Sequence, residues 1–294
     1  MDRRLQAYLR LTRPANLLTA ISDIWAGAAL SGYFLIKDYV AWPLVLLSLS
    51  SVLLYAGGVV MNDVFDAKID AIERPGRPIP FNLVSRTSAT VFGISLFVLG
   101  IITATFTSTI SGILSLFIAM AAIIYDGWTK HHTVWGPFNM GLCRGVNLLL
   151  GMSILSLQQN PMLLIAIVPV IYIGAITLIS RGEVQGGSRF TLWTALIFYI
   201  IVIAAIILVG VIKSRILPSV IFIILFILFI FPHLMLAIKD PTGRRIGKAV
   251  KSGVLGIILM NAAWVAVGFG WEWALITASL LPISMIISIY FEVT

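Results

Sequence analysis

The chain has 294 residues, of which 60% are hydrophobic and 11% charged, with a net charge of +8 and a mean hydropathy of +1.04. A soluble globular domain carries about a quarter charged residues, so this composition excludes one. The single cysteine, Cys143, excludes an internal disulfide.

Residues 1–14 are polar and basic and run straight into an apolar stretch, so no cleavable leader is expected. A transmembrane helix needs roughly 20 mostly apolar residues to cross about 30 Å of hydrocarbon. By that measure the chain supplies spans at 15–36, 42–61, 88–106, 110–125, 138–155, 162–179, 190–212, 217–238, 250–268 and 274–290. The runs are continuously apolar without period-two alternation, which argues against a β-barrel. "GFGWEW" at 268–273 separates the last two spans poorly, so nine spans is the alternative to ten. With no soluble domain, low-complexity tail or repeat, residues 1–294 read as one all-α polytopic membrane domain.

Charge fixes the orientation. Arg3, Arg4, Arg10 and Arg13, then Lys68, Arg74, Arg77 and Arg86, Lys130, Arg181 and Arg189, and Lys239, Arg244, Arg245, Lys248 and Lys251 all fall on one side. Only Lys37, Lys213 and Arg215 fall on the other. The positive-inside rule makes the rich side cytoplasmic. The excess charge is therefore a topology signal, and nucleic acid is not expected as a partner.

The carboxylates share this asymmetry. The second span runs into "NDVFDAKID" at 62–70, where Asp63, Asp66 and Asp70 are spaced to share one helix face, with Asn62 beside them. Like charges one turn apart repel, so such a row needs a cation. Oxygen ligands of this kind suit Mg2+, which bridges protein carboxylates to substrate phosphates. A solvated helix end is the plainer alternative. Against it stands the next stretch, "ERPGRPIP" at 73–80, whose Arg74 and Arg77 lie in a Pro/Gly-rich loop suited to holding guanidinium groups for phosphate. Carboxylates for a metal beside arginines for a phosphate describe a diphosphate site.

"NDVFDAKID" followed by "ERPGRP" resembles the first aspartate-rich motif of the UbiA superfamily of intramembrane prenyltransferases, and "LTRPANLL" at 11–18 resembles the lead into that family's first helix. The resemblance implies a bundle of about nine to ten helices around a central cavity, open to the cytoplasm and laterally to lipid. It implies Mg2+-assisted transfer of a prenyl group from an isoprenyl diphosphate to a small, aromatic acceptor. Asn62, Asp66 and Asp70 match the motif positions tied to metal and diphosphate, with Asp63 beside them. The location implied is a bacterial cytoplasmic membrane, with the site facing the cytoplasm.

The second motif of the family departs here. After the sixth span the chain reads "ISRGEVQGGSR" at 179–189, with Ser180 and Gly187 where Asp is expected and Glu183 as the remaining acid. Arg181 and Arg189 are expected to touch phosphate in place of a second metal. The alternative is that the diphosphate chemistry is lost and the protein carries an isoprenoid or small lipophilic metabolite without prenyl transfer. "SRGEVQGG", with "CRGVNLLLG" and "KAVKSGVLG", resembles the EboC-like branch of the superfamily.

Further polar residues are candidates. Tyr125, Asp126 and Lys130 in "YDGWTKHH" end the fourth span on the same side and are expected near the diphosphate, or else act as interfacial anchors. Adjacent His131 and His132 point apart and read as loop residues. Arg144 and Asn147 in the fifth span and Asp23 in the first are polar groups at membrane depth, which face a cavity or a partner. An Asp23–Arg144 ion pair is one reading, and contact with diphosphate or acceptor the other. Asn16 is a weaker candidate of the same kind. The basic stretch at 240–253 reads as a positively charged loop, and Gly57, Gly58, Gly141 and Gly145 read as close helix contacts.

Overall fold

A computed structural model describes residues 3–157, 160–183 and 186–291, and the elements in them are helical. A short amphipathic helix, α1 (Arg3–Thr12), precedes the bundle. It is followed by α2 (Pro14–Ser31), α3 (Trp42–Glu73), α4 (Arg86–Thr105), α5 (Thr109–Ile124), α6 (Trp135–Met152), α7 (Ile167–Ser180), α8 (Arg189–Ile212), α9 (Ile216–Lys239), α10 (Gly243–Gly268), α11 (Trp271–Ala278) and α12 (Leu280–Tyr290).

Among the described residues eight stretches, with α11 and α12 taken together, are long and apolar enough to cross a membrane. The remaining two rods, α2 and α6, carry the buried polar residues and fall outside that set, yet both pack inside the bundle. With these the described residues form ten rods, the larger of the two expected numbers. The last pair is separate because α10 stops at Gly268 and α11 begins at Trp271.

The centre of the bundle is α10, whose most apolar stretch is 89% buried. It touches α2, α7, α8, α9, α11 and α12. The polar helices can sit inside because their backbones approach closely. A Cβ on Gly151 of α6 would come 2.5 Å from the Ile24 carbonyl oxygen of α2, and one on Gly145 would come 2.6 Å from that of Ala166, which leads into α7. Gly141 meets Val170 as tightly and a Cβ on Gly57 would come 2.9 Å from the Phe97 ring, whereas one on Gly58 would meet Ala122 at an ordinary 3.6 Å. Three of the four glycines expected at helix contacts are therefore there for packing, and Gly58 is not.

Two boundaries differ from the sequence reading in ways that matter for the site. Helix α3 does not stop at Met61 but continues to Glu73. At 1.5 Å per residue it is about 48 Å long against about 30 Å of hydrocarbon, so its last turns stand proud of the membrane core. The basic stretch at 240–253 is mostly the first turns of α10, not a loop.

At the basic end of the bundle α1 lays Ala7 and Leu11 against Val60 and Val64 of α3, with Ile79, Val84 and Ala89 completing a second, smaller core. The rings of Tyr8 and Phe92 of α4 meet edge to face, their centroids 5.1 Å apart.

Candidate active site

A cavity of about 560 Å3 opens among α2, α3, α5, α6, α7 and α10. Its upper rim is charged, with Asn62, Asp66, Asp70 and Glu73 from α3, Arg74 and Arg77 from the loop that follows, Tyr125, Asp126, Lys130 and His131 from the end of α5, and Glu183 beyond α7. Its middle is apolar, lined by Leu54, Ile118, Ala122, Met140, Ile176 and Val254. Arg144, Asn147, Tyr55 and Ser51 line it as well, and Asn16 and Arg13 belong to the α2 wall.

The rim is stitched by pairs of opposite charge. Arg77 donates to Asp70 (2.7 Å) and to Asp63 (3.1 Å), and Arg13 donates to the same Asp63 oxygen (2.9 Å). Lys130 is ion-paired with Asp66. The Asn62 amide donates to Asp126 (2.6 Å). Arg74 reaches Glu183 at 3.9 Å, linking the loop after α3 to the one after α7 across the mouth. Burial holds the Glu183 carboxyl above the ordinary glutamate range, against the opposing pull of Arg74 and Arg13. Its Oε1 is buried and has no hydrogen-bond partner.

Local backbone explains how Asp126 and Lys130 reach the rim. Helix α5 widens into a π turn over Tyr125–Thr129, which presents both side chains toward α3. Such widened turns are over-represented at functional sites. Arg13 is held at φ 45 between α1 and α2, a backbone region uncommon for a side chain of its size.

Four expected site residues are not on the cavity wall. Asp63 lies within about 20° of Asp70 around α3, so helix phase alone does not separate the two. The Asp63 carboxylate is buried under Arg13 and Arg77 and does not line the cavity. Arg181 donates to the backbone carbonyls of His132 (2.5 Å) and Thr133 (3.3 Å), so it pins the turn before α6 and does not line the cavity. Arg189 likewise donates to the Lys239 carbonyl (3.3 Å). Asp23 is buried behind the wall, paired to Arg144 at 2.6 Å, which realises the ion-pair reading. Val184 and Gln185 of the altered second motif lie outside the described residues.

Several residues in the site were missed. Arg13 had been read as a topology charge, although its place just before Pro14 in "TRPAN" was a visible signal. Asn261, in the middle of α10, donates to Asp23 (2.7 Å) and Ser22 (2.8 Å). Being an amide alone in an apolar span, it met the same test that selected Asp23 and Arg144. Thr19, Ser51 and Tyr55 carried no signal before the fold brought them to Arg144 and Asn147. His132 has a structural task, its Nδ1 accepting from the Val134 and Trp135 amides at the start of α6.

The model of the UbiA prenyltransferase family matches residues 24–241, most of the chain. The chain belongs to the UbiA prenyltransferase family. Among its relatives is a digeranylgeranylglyceryl phosphate synthase of Methanoculleus marisnigri, 35% identical over 147 residues that make up 50% of this chain and 51% of the relative. Another, of Saccharolobus solfataricus, is 31% identical over 183 residues, 62% of each chain. The chain thus spans about half the length of several curated relatives it matches. A UbiA homologue from Aeropyrum pernix superposes with a TM-score of 0.70 at 16% identity, over 84% of this chain and 96% of the other. A UbiA homologue from Archaeoglobus fulgidus, solved bound to GPP and Mg2+, gives 0.57 at 14% identity over 93% and 99%. The ten-rod bundle is thus the fold of this family, and the chain is an integral membrane protein. The relatives are archaeal and lend no support to the expected bacterial membrane.

Proposed function

We propose that the protein transfers a prenyl group from an isoprenyl diphosphate to a nucleophilic acceptor inside the cavity, with diphosphate as the leaving group. The observation that carries this reading is one cavity with a charged rim, Asn62, Asp66 and Asp70 facing Arg74, Arg77 and Lys130, above a wall apolar enough for an isoprenoid tail. The tail lies in the apolar middle while the diphosphate stays at the polar mouth.

Mg2+ suits the donor set, which is made of carboxylate and amide oxygens only. Among the described residues no three Asp, Glu, His or Cys side chains form a ready cage. Mg2+ does not require one, because it keeps several waters and shares its shell with substrate phosphates. Asn62, Asp66 and Asp70 would hold it, with the buried, unpartnered Glu183 Oε1 as a further donor. When bound, the ion neutralises charge gathering on the leaving diphosphate.

The side chains of the rim then have distinct tasks. Lys130 and Arg77, now paired to Asp66 and Asp70, turn toward phosphate oxygens as those carboxylates are engaged elsewhere. Arg74 is freed from Glu183 in the same way. Fixed cations aimed at developing negative charge are the main electrostatic aid to such a departure. The C1–O bond breaks with its electron pair going to diphosphate, an acceptor electron pair forms the new bond to C1, and the acceptor's proton leaves to water at the rim. The acceptor expected from the sequence was aromatic. The names of the relatives describe prenyl groups on a glyceryl unit, which widens the acceptor to hydroxyl-bearing molecules. The rim faces the cytoplasm by the distribution of basic residues.

The test is binding of geranyl diphosphate to the purified protein with and without Mg2+. Wild type should bind only with the metal, and Asp66→Asn should weaken that binding by about tenfold or more, about 1.4 kcal/mol, without loss of fold. Equal binding in the two proteins would return the carrier reading to the front.

A further inference from the structure

Below the rim the cavity wall carries a second polar cluster that loss of diphosphate does not use. From Trp135 to Arg144, α6 climbs about 14 Å at 1.5 Å per residue. The Arg144 guanidinium donates through Nη1 to Asp23 (2.6 Å) and through Nη2 to Thr19 Oγ1 (2.6 Å), and it stands 4.9 Å from the centroid of the Tyr55 ring. Both Asp23 oxygens are taken, Oδ2 also by Asn147 (2.9 Å) and Oδ1 by Asn261 (2.7 Å). One cation and one anion therefore cancel inside the membrane, held by α2, α6 and α10.

What this neutral cluster shows to the cavity is a mixed wall. Arg144, Asn147, Tyr55 and Ser51 line it, and Asp23 does not. A guanidinium has five N–H donors, and the bonds to Asp23 and Thr19, with the Tyr55 side chain as a further partner, engage only part of that fork. Asn147 Oδ1 accepts from Ser51 (2.8 Å) and keeps a second lone pair. Donors and acceptors thus stand side by side. A phosphate or carboxylate only accepts, and it would add an uncompensated charge to a cluster that is already balanced in a low dielectric. A hydroxyl both donates and accepts and adds no charge. Depth fits as well. Tyr55 stands about 10 Å below Asn62 along α3, and a diphosphate held at the Asn62 level fills the space between and brings C1 toward Tyr55.

We infer that the acceptor group recognised at this wall is uncharged and hydroxyl-bearing, and that Asp23 sets this preference by cancelling Arg144. The inference rests on the prenyl-transfer reading and refines it. Asp23 acts through Arg144 and Asn147 and is a positioning residue for selectivity.

A matched pair of probes tests it: a monogeranylgeranyl glycerol ether and its phosphate ester, which differ only in the charged group. Each is titrated against the full chain in detergent, loaded with Mg2+ and a thiolodiphosphate analogue of geranylgeranyl diphosphate. Wild type should bind the neutral ether at least tenfold more tightly than the phosphate ester. Asp23→Asn, which leaves Arg144 uncompensated, should narrow or invert that ratio. Tyr55→Phe, a milder change, should weaken the ether alone and leave donor binding as in wild type, so the inference stays exposed even if Asp23→Asn does not fold. Donor-analogue binding is read first in the same sample, and its absence sinks the prenyl-transfer reading together with this one. Intact donor binding with the phosphate ester bound as tightly as the ether, or with neither bound, overturns this inference alone. An unchanged ratio in a folded Asp23→Asn protein does the same.

Discussion

Asp63 and Asp66 stand three residues apart on α3, and their surroundings give them opposite roles. Asp66 faces the cavity and holds one cation, Lys130, at the rim. Asp63 is buried and holds two, Arg13 and Arg77. Removing one partner of a buried charge network leaves the others uncompensated, at a cost of about 3–5 kcal/mol. Asp63→Ala should therefore lower the melting temperature in detergent strongly, whereas Asp66→Asn should leave it near wild type while weakening Mg2+-dependent donor binding by about tenfold or more. Melting curves of the two variants beside their binding curves check the division. Glu183 gives a pH prediction. Its carboxyl titrates above the ordinary glutamate range because it is buried. The folded state therefore holds that proton more tightly than the unfolded chain. The stability this supplies is present below the ordinary glutamate value and is lost as pH rises through the raised one. Glu183→Gln cannot lose it, so its melting temperature should fall less than that of wild type between pH 5 and pH 8. An equal fall in both proteins would contradict the assignment.

At the scale of elements, the arrangement depends on three helices that most long membrane spans do not resemble. Helices α2 and α6 carry Asp23, Arg144 and Asn147, and so cannot face lipid. They are enclosed because small residues let them approach, and α10 supplies Asn261 as the third side of the cluster. A Cβ on Gly27 would run into the Leu148 carbonyl, and one on Gly268 would come 2.6 Å from that of Ala29. Backbone atoms at those distances cannot yield as a flexible side chain can. Gly151→Ala should consequently destabilise the protein by about 1–3 kcal/mol, the usual cost of overpacking. It should also loosen the Asp23–Arg144 alignment that the α2–α6 contact sets. Gly58→Ala is the control, since its Cβ would meet only Ala122 at 3.6 Å. Thermal denaturation of the pair separates packing from a general intolerance of α-helix substitutions, and equal stability of both variants would refute the packing argument.

For the molecule as a whole, the parts legible in advance were those written locally in the chain. Continuous apolar runs gave most of the spans to within a few residues, because length and hydropathy alone decide whether a helix can cross, but not the polar extensions of α3 to Glu73 and of α10 back to Gly243. The spacing of Asn62, Asp66 and Asp70 gave the cavity-lining stripe for the same reason, as a property of one helix. What was not legible depended on neighbours. Which edge of that stripe meets the cavity, and so the burial of Asp63, is decided by where α1 and the loop after α3 place Arg13 and Arg77. Arg181 looked like a phosphate ligand until the turn before α6 offered it two carbonyls.

Orientation is the remaining property of the whole, and it follows from charge. The basic residues concentrate at the rim end of the bundle, while the opposite end has Lys37, Lys213 and Arg215. A chain inserted by the positive-inside rule keeps the rim in the cytoplasm, where soluble diphosphate can leave. In a Cys143→Ser background, a cysteine placed at Ser214, in the turn between α8 and α9, should react with a membrane-impermeant maleimide on intact cells. One placed at Asn82, between α3 and α4, should react only after permeabilisation. The reverse pattern would put the rim outside the cell. The isoprenyl diphosphate would then have to arrive from the side of the membrane where the chain carries its fewest basic residues, and the phosphate contacts assigned to Arg74, Arg77 and Lys130 would fail with it.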